Sequence, residues 1–136
     1  MWTDFLSQPQ SVIHVFAGPP PALAGLTLRE VRFRPSEAGE EVTLLLEWTT
    51  LPQGVPEKWH TKGYKVLQLT LSLTEAISIT KHGTFGPFPV DTLLSQNRVV
   101  VHQPSTLASL EVECNQVFAK LHPYNGDNQH YGVRLG

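Results

Sequence analysis

Glu111 and Glu113 are the two carboxylates whose spacing comes nearest to a catalytic pair. They are two residues apart in an alternating segment, so both side chains project from one face of a strand. Such a pair performs acid–base catalysis when an apolar pocket keeps one carboxyl protonated. The flanking sequence supplies no such pocket. We therefore interpret them as solvated strand residues whose better functional use is contact with a partner.

The histidines and the single cysteine show no metal-site spacing. No two histidines are two or four residues apart, and no second cysteine accompanies Cys114. Cys114 falls on the same inward face of the alternating segment as Leu110 and Val112, so its small side chain is predicted to be buried. A Cys/His nucleophile pair stays open, although no pattern indicates one. We expect no catalytic, cofactor-binding or metal-binding residue and no enzyme. The histidines are His14, His60, His82, His102, His122 and His130.

Length, charge and composition restrict the class of protein. The 136 residues suit one domain, and the net charge of −2 argues against a nucleic-acid partner. A single cysteine excludes an intrachain disulfide and suits a reducing compartment. The first residues lack the pattern of a secretory signal, and no window reaches the roughly 18 apolar residues of a membrane span. We expect a cytoplasmic protein without a membrane partner.

The alternation of apolar and polar residues predicts strands. Leu67, Leu69 and Leu71 alternate with polar residues, which predicts a strand with one buried face. This segment follows Trp59, which we interpret as a structural anchor, and a predicted turn at Gly63. Residues 26–34 and 41–48 predict a hairpin with a bulge near Arg29-Glu30 and a loop over 35–40. Ser7 is predicted to cap a short helix that continues through 11–16.

Together these segments predict a β-dominated α+β fold. We expect a mostly antiparallel sheet of six to eight strands with one short N-terminal helix packed on it. Residues 1–136 form one domain in this interpretation: a helical segment over 1–18, a β-rich core over 26–121 and a polar tail over 122–136.

Several segments occur in an order that resembles the bacterial immunity protein 50 family. These small proteins are encoded beside polymorphic toxins. The likeness extends from about Trp2 to about Tyr124 and is most specific between Pro56 and Leu71. The segments are Trp2-Thr3-Asp4, Phe16-Ala17-Gly18-Pro19-Pro20, Leu26-Thr27-Leu28-Arg29-Glu30-Val31, Pro56-x-Lys58-Trp59 and Gly63-Tyr64-Lys65-Val66-Leu67-Gln68-Leu69.

The resemblance implies a cytoplasmic protein that binds and neutralises a cognate protein toxin, a task that needs no catalysis. Acidic loops on a rigid sheet suit such a role, because charge speeds the encounter with a partner. Solvated turns and strand faces remain the plainer interpretation of the same acids. The candidate partner-binding residues are Glu37, Glu40, Glu41, Glu111, Glu113, Tyr124 and Tyr131, the two tyrosines as exposed aromatics in a polar tail.

Two other functions remain open at this point. A small-ligand-binding or hydrolytic β-rich domain would have a pocket lined by histidine, with His82 or His102 at its mouth. A structural subunit would expose an apolar sheet edge and form obligate oligomers. Sequence does not choose between a monomer and a homodimer.

Overall fold

The computed structural model describes residues 1–126 and the backbone of residues 134 and 135. Short helical elements comprise a 3₁₀ turn (Trp2–Phe5), α1 (Gln10–Ile13) and α2 (Glu57–Thr61). The strands are β1 (Ala24–Ser36), β2 (Gly39–Trp48), β3 (Val66–Ala76), β4 (Ser78–His82), β5 (Pro89–Ser95), β6 (Arg98–Gln103), β7 (Ala108–Glu113), β8 (Gln116–Tyr124) and β9 (Arg134–Leu135).

Eight strands lie in the order β4-β7-β6-β5-β1-β2-β3-β8, and every neighbouring pair is antiparallel. The two-residue β9 pairs in parallel with β1. The expected β-dominated α+β fold with a mostly antiparallel sheet is therefore confirmed. No helix in the described residues has the length and apolar character needed to cross a membrane.

The order of strands closes into a ring because two strands are bent. Only Ile77 separates β3 from β4, and only Cys114 and Asn115 separate β7 from β8. β3 pairs with β8 and β4 pairs with β7, so the bent strands form one long antiparallel ribbon. β2 pairs with β3 on one side of this ribbon, and β6 pairs with β7 on its other side. β1 pairs with β2 and with β5, and β5 pairs with β6, so these pairings close the ring.

One core fills the ring. Leu67, Leu69 and Leu71 of β3 are completely buried, and they pack with residues from β1, β2 and β5 to β8. Their polar neighbours Gln68 and Thr70 stay on the partly exposed outer face. Alternation along β3 therefore puts leucine inside and leaves a polar surface outside.

Gln103, the last residue of β6, is a buried polar side chain whose hydrogen bonds are all made within the protein. Its Oε1 accepts from the Gly86 N–H (2.7 Å) and the Thr106 hydroxyl (2.6 Å). Its Nε2 donates to the carbonyls of Gly86 (2.9 Å) and Phe88 (2.8 Å). One amide thus pins the irregular segment before β5, because a buried amide must find partners inside the protein.

The first hairpin has the predicted bulge but a shorter turn. The register of β1 against β2 shifts between Leu28 and Glu30, which leaves Arg29 as the extra residue. The predicted loop over 35–40 is wrong, because Ser36 pairs with Gly39 and only residues 37 and 38 lie between the strands. Gly39 makes this tight turn possible by adopting φ of 118°.

The N-terminal helix is shorter than predicted. It starts after Pro9 rather than at Ser7 and ends at Ile13, whose side chain is exposed. The Ser7 N–H donates instead to the Val117 carbonyl (2.8 Å), and the Ser11 hydroxyl donates to the Ala119 carbonyl (3.0 Å). The segment therefore covers the outer edge of β8, and those bonds replace further helical turns.

Trp59 and Gly63, the two residues interpreted as structural, belong to the short helix α2 and to the turn that ends it. Trp59 lies in α2 and is half-buried against the core, while Gly63 follows the helix with φ of 80°, as a helix end favours. β8 continues to Tyr124, three residues into the segment expected to be a polar tail.

Candidate protein-binding surface

Two bends and two turns meet at one end of the ring. The β1–β2 turn lies beside the bend between β3 and β4, because Glu40 is paired with Ala76. The Ile77 N–H donates to the Glu113 carbonyl (2.8 Å), which joins this bend to the one between β7 and β8. The Cys114 N–H donates to the Asn97 carbonyl (3.0 Å), so the β5–β6 turn follows next.

Five glutamates from three separate parts of the chain gather at this end of the ring. All are exposed except Glu41, which is half-buried. The structure thus places Glu113 on the same side of the molecule as the hairpin acids, a proximity that only the strand pairing reveals. We call this group the acidic rim: Glu37, Glu40, Glu41, Glu75 and Glu113.

Ile77 lies within the acidic rim and exposes 78% of its surface. Glu75, with φ of 51°, lies at a register shift near the end of β3, and this turns the Ile77 side chain away from the core. A large exposed apolar side chain with Glu113 beside it resembles the centre of an interface, where apolar anchors lie within a polar border.

Glu111 and Glu113 differ in their surroundings although they share a strand face. Glu111 is half-buried and forms an ion pair with Arg98 on the neighbouring strand β6. Glu113 is exposed at the rim. Of the two carboxylates, Glu113 is therefore the one available to a positively charged partner.

A second polar cluster lies at the other end of β2. Glu47 is only 3% exposed, and its Oε2 accepts a hydrogen bond from Arg29 Nε at 3.1 Å. The Tyr124 hydroxyl donates to Oε1 of the same carboxylate, and the Tyr124 ring stacks on His122 with centroids 6.3 Å apart. The bulge in β1 and the end of β8 thus supply the two partners of one buried charge.

The sequence gives no indication of the buried Glu47 site, of its ion pair with Arg29 or of the exposed Ile77. Tyr124 is half-buried and engaged with Glu47, whereas an exposed position was expected. Tyr131 lies outside the described residues. Alternation does predict that Glu47 faces outward, but burial on that face depends on side chains from β1 and β8.

Three surface depressions have volumes of about 450, 360 and 260 Å³. The two larger ones lie beside the N-terminal segment, and the smallest lies at the acidic rim. No histidine lines any of these three depressions. Within residues 1–126, no three His, Cys, Asp or Glu side chains lie close enough together to hold a metal ion. Burial raises the pKa of the Cys114 thiol above its ordinary value.

The chain matches no protein-family model, no curated protein and no solved structure. The geometry of the surface and the sequence resemblance are therefore the grounds for a functional proposal.

Proposed function

We propose that this protein is an immunity protein that binds and neutralises a cognate bacterial toxin through the acidic rim. The observation that carries the proposal is the exposed Ile77, which lies beside Glu113 in the acidic rim. The toxin would present a basic surface with an apolar recess that receives the isoleucine. The resemblance to the immunity protein 50 family supplies the partner class.

The scaffold supports this role because the rim is held in place from several sides. Main-chain hydrogen bonds join Ile77 to Glu113 and Asn115 to Thr74, at 2.8 and 2.9 Å. Leu71 and Leu73, the last leucines of β3 before the bend, are completely buried. A preformed surface binds with less loss of conformational entropy than one that must become ordered on binding.

The acids of the rim would act mainly before contact. A cluster of like charges attracts an oppositely charged protein and raises the association rate, an effect that salt weakens. Ile77 would then contribute after docking, since buried apolar anchors slow dissociation. Occupation of a basic toxin cleft by the rim would block access of the toxin's substrate.

The test is co-expression with the toxin encoded beside this protein, followed by measurement of the purified complex. We expect the wild-type chain to rescue growth and Ile77→Asp to weaken the complex by about thirtyfold, equivalent to about 2 kcal/mol. Leu107→Asp is the matched control, because Leu107 is 74% exposed but lies in the β6–β7 turn at the opposite end of β6.

Absence of rescue, or of a complex at micromolar concentration, would reject the toxin-binding proposal. Equal affinity of the Ile77→Asp and Leu107→Asp variants for the toxin would show that the acidic rim is not part of the interface. Circular dichroism of both variants provides the check on folding, and we expect spectra that match the wild type because both leucine and isoleucine are exposed.

A further inference from the structure

The three depressions adjoin one another in a row on the described surface. Phe5 lines both the 450 Å³ and the 360 Å³ depression. Gln96 and Asn97 line both the 360 Å³ and the 260 Å³ depression. The last depression also includes Ile77, so the groove runs from the N-terminal segment to the acidic rim. We call it the Phe5 groove.

The end of the groove beside the N-terminus is apolar. Met1, Phe5 and Leu93 are all exposed there, Leu93 by 69%, and Leu94 lies beneath them. The Thr92 hydroxyl, in the wall of this depression, has no hydrogen-bond partner among the described residues. Adjacent exposed apolar side chains of this kind are typical of interaction sites.

The middle of the groove is lined by carboxamides. The side chains of Gln96, Asn97 and Gln116 make no hydrogen bond within the described part of the chain, whereas Asn115 donates to Glu75 (3.0 Å). Each amide offers both donors and an acceptor. An extended polypeptide presents alternating N–H and C=O groups, so its main chain matches a row of amides.

The rim end of the groove is negative. Glu113 lines the last depression. Glu75 accepts a hydrogen bond from Asn115, two residues after Glu113. Arg98 lies in the same depression, but its charge is paired with Glu111. Asp4, in the middle depression, is paired with the N-terminal ammonium group at 2.9 Å. A bound segment would therefore place a cation near Glu113.

We infer that the Phe5 groove binds an extended segment of the partner protein, with apolar side chains at Phe5 and Leu93 and a lysine or arginine at Glu113. This inference rests on the proposed function and specifies how the partner reaches beyond the rim. Charge complementarity at one end and apolar burial at the other fix the direction of the segment in the groove.

Selection of random peptides displayed on phage against the purified full-length chain tests the groove. We expect enriched peptides to combine apolar residues with a lysine or arginine a few positions away. A synthetic consensus peptide should bind the Leu93→Asp and Glu113→Lys variants at least tenfold more weakly than the wild type. It should bind Leu107→Asp as it binds the wild type. Added salt should weaken binding to the wild type more than to Glu113→Lys.

Failure to enrich a shared pattern, or a consensus peptide that binds both groove variants as tightly as the wild type, would overturn the inference. A wild-type dimer that Leu93→Asp dissociates in light scattering would also overturn it, by assigning the groove to a second copy of the chain. Because the selection contains no toxin, peptide binding without a toxin complex would reject the proposed function alone. A toxin complex that tolerates both groove variants would reject the groove alone.

Discussion

The Tyr124 hydroxyl donates a hydrogen bond to the Glu47 carboxylate across the intervening strand β3. Glu47 lies opposite Gln68, and Gln68 lies opposite His122, two residues from Tyr124. The bond therefore ties the end of β8 to β2. It also satisfies a carboxylate that has almost no contact with water.

The Tyr124→Phe variant should be less stable than the wild type by about 1 to 3 kcal/mol, because removal of the hydroxyl leaves a buried carboxylate oxygen short of one partner. Urea unfolding measures the difference. Tyr64→Phe is the control, since the half-buried Tyr64 side chain makes no hydrogen bond within residues 1–126. Equal stability of the Tyr124→Phe and Tyr64→Phe variants would contradict this account of Glu47.

The Gln103→Leu variant should unfold more easily by about 3 kcal/mol or more. Leucine preserves most of the volume but leaves the Gly86 N–H and the carbonyls of Gly86 and Phe88 without their partner, and each buried unsatisfied group costs about 1 to 3 kcal/mol. Denaturant midpoints provide the measurement. The exposed Gln53→Leu variant is the control and should change little; a similar small effect at Gln103 would show that these bonds contribute nothing.

Cys114 makes the stability of the fold depend on pH in the alkaline range. Burial disfavours the thiolate and raises the pKa of this thiol in the native state. As the pH rises above the ordinary thiol value of about 8.5, the unfolded chain loses the proton first, so the native state binds more protons. The free energy of unfolding must then fall by up to about 1.4 kcal/mol per pH unit from this group alone.

Comparison with Cys114→Ala isolates this effect, because the loss of the sulfur's packing does not vary with pH. Urea titrations between pH 7 and pH 10 should show that the wild type loses stability faster than the variant above about pH 8.5. Parallel curves for the two proteins across this range would exclude the buried thiol as the cause.

Local patterns in the sequence predicted the class of fold and several details. Alternation identified the buried leucines of β3, and a phase change identified the bulge at Arg29. These features depend on residues close together in the chain, where side-chain direction follows from strand geometry. The helix was predicted too long, because bonds from Ser7 and Ser11 to the edge of β8 compete with helical turns.

The site was less accessible to prediction because it depends on pairing between distant segments. Glu40 and Glu113 are separated by about half of the chain. The bent ribbon of β3–β4 and β7–β8 brings the segments that carry them together. The exposure of Ile77 follows from an irregularity at Glu75, a residue type that rarely adopts positive φ. Neither feature leaves a signal in local hydrophobic periodicity.

Charge reversal at the hairpin tests whether the rim steers the partner. The triple variant Glu37→Lys, Glu40→Lys and Glu41→Lys should associate with the toxin about tenfold more slowly, because it replaces attraction by repulsion before contact. Stopped-flow association at low and high salt measures the effect, and the difference from the wild type should shrink as salt screens the charges. The dissociation rate should change less than the association rate.

A pair of single variants separates local steering from total charge. Glu40→Lys and Glu57→Lys change the net charge equally, but Glu57 begins α2, beyond the other end of β2 from the Glu40 hairpin. Local steering predicts slower association for Glu40→Lys than for Glu57→Lys. If the two variants associate at the same rate, the electrostatic effect comes from the charge of the whole molecule. If the triple variant also associates as fast as the wild type, the hairpin acids do not steer the encounter.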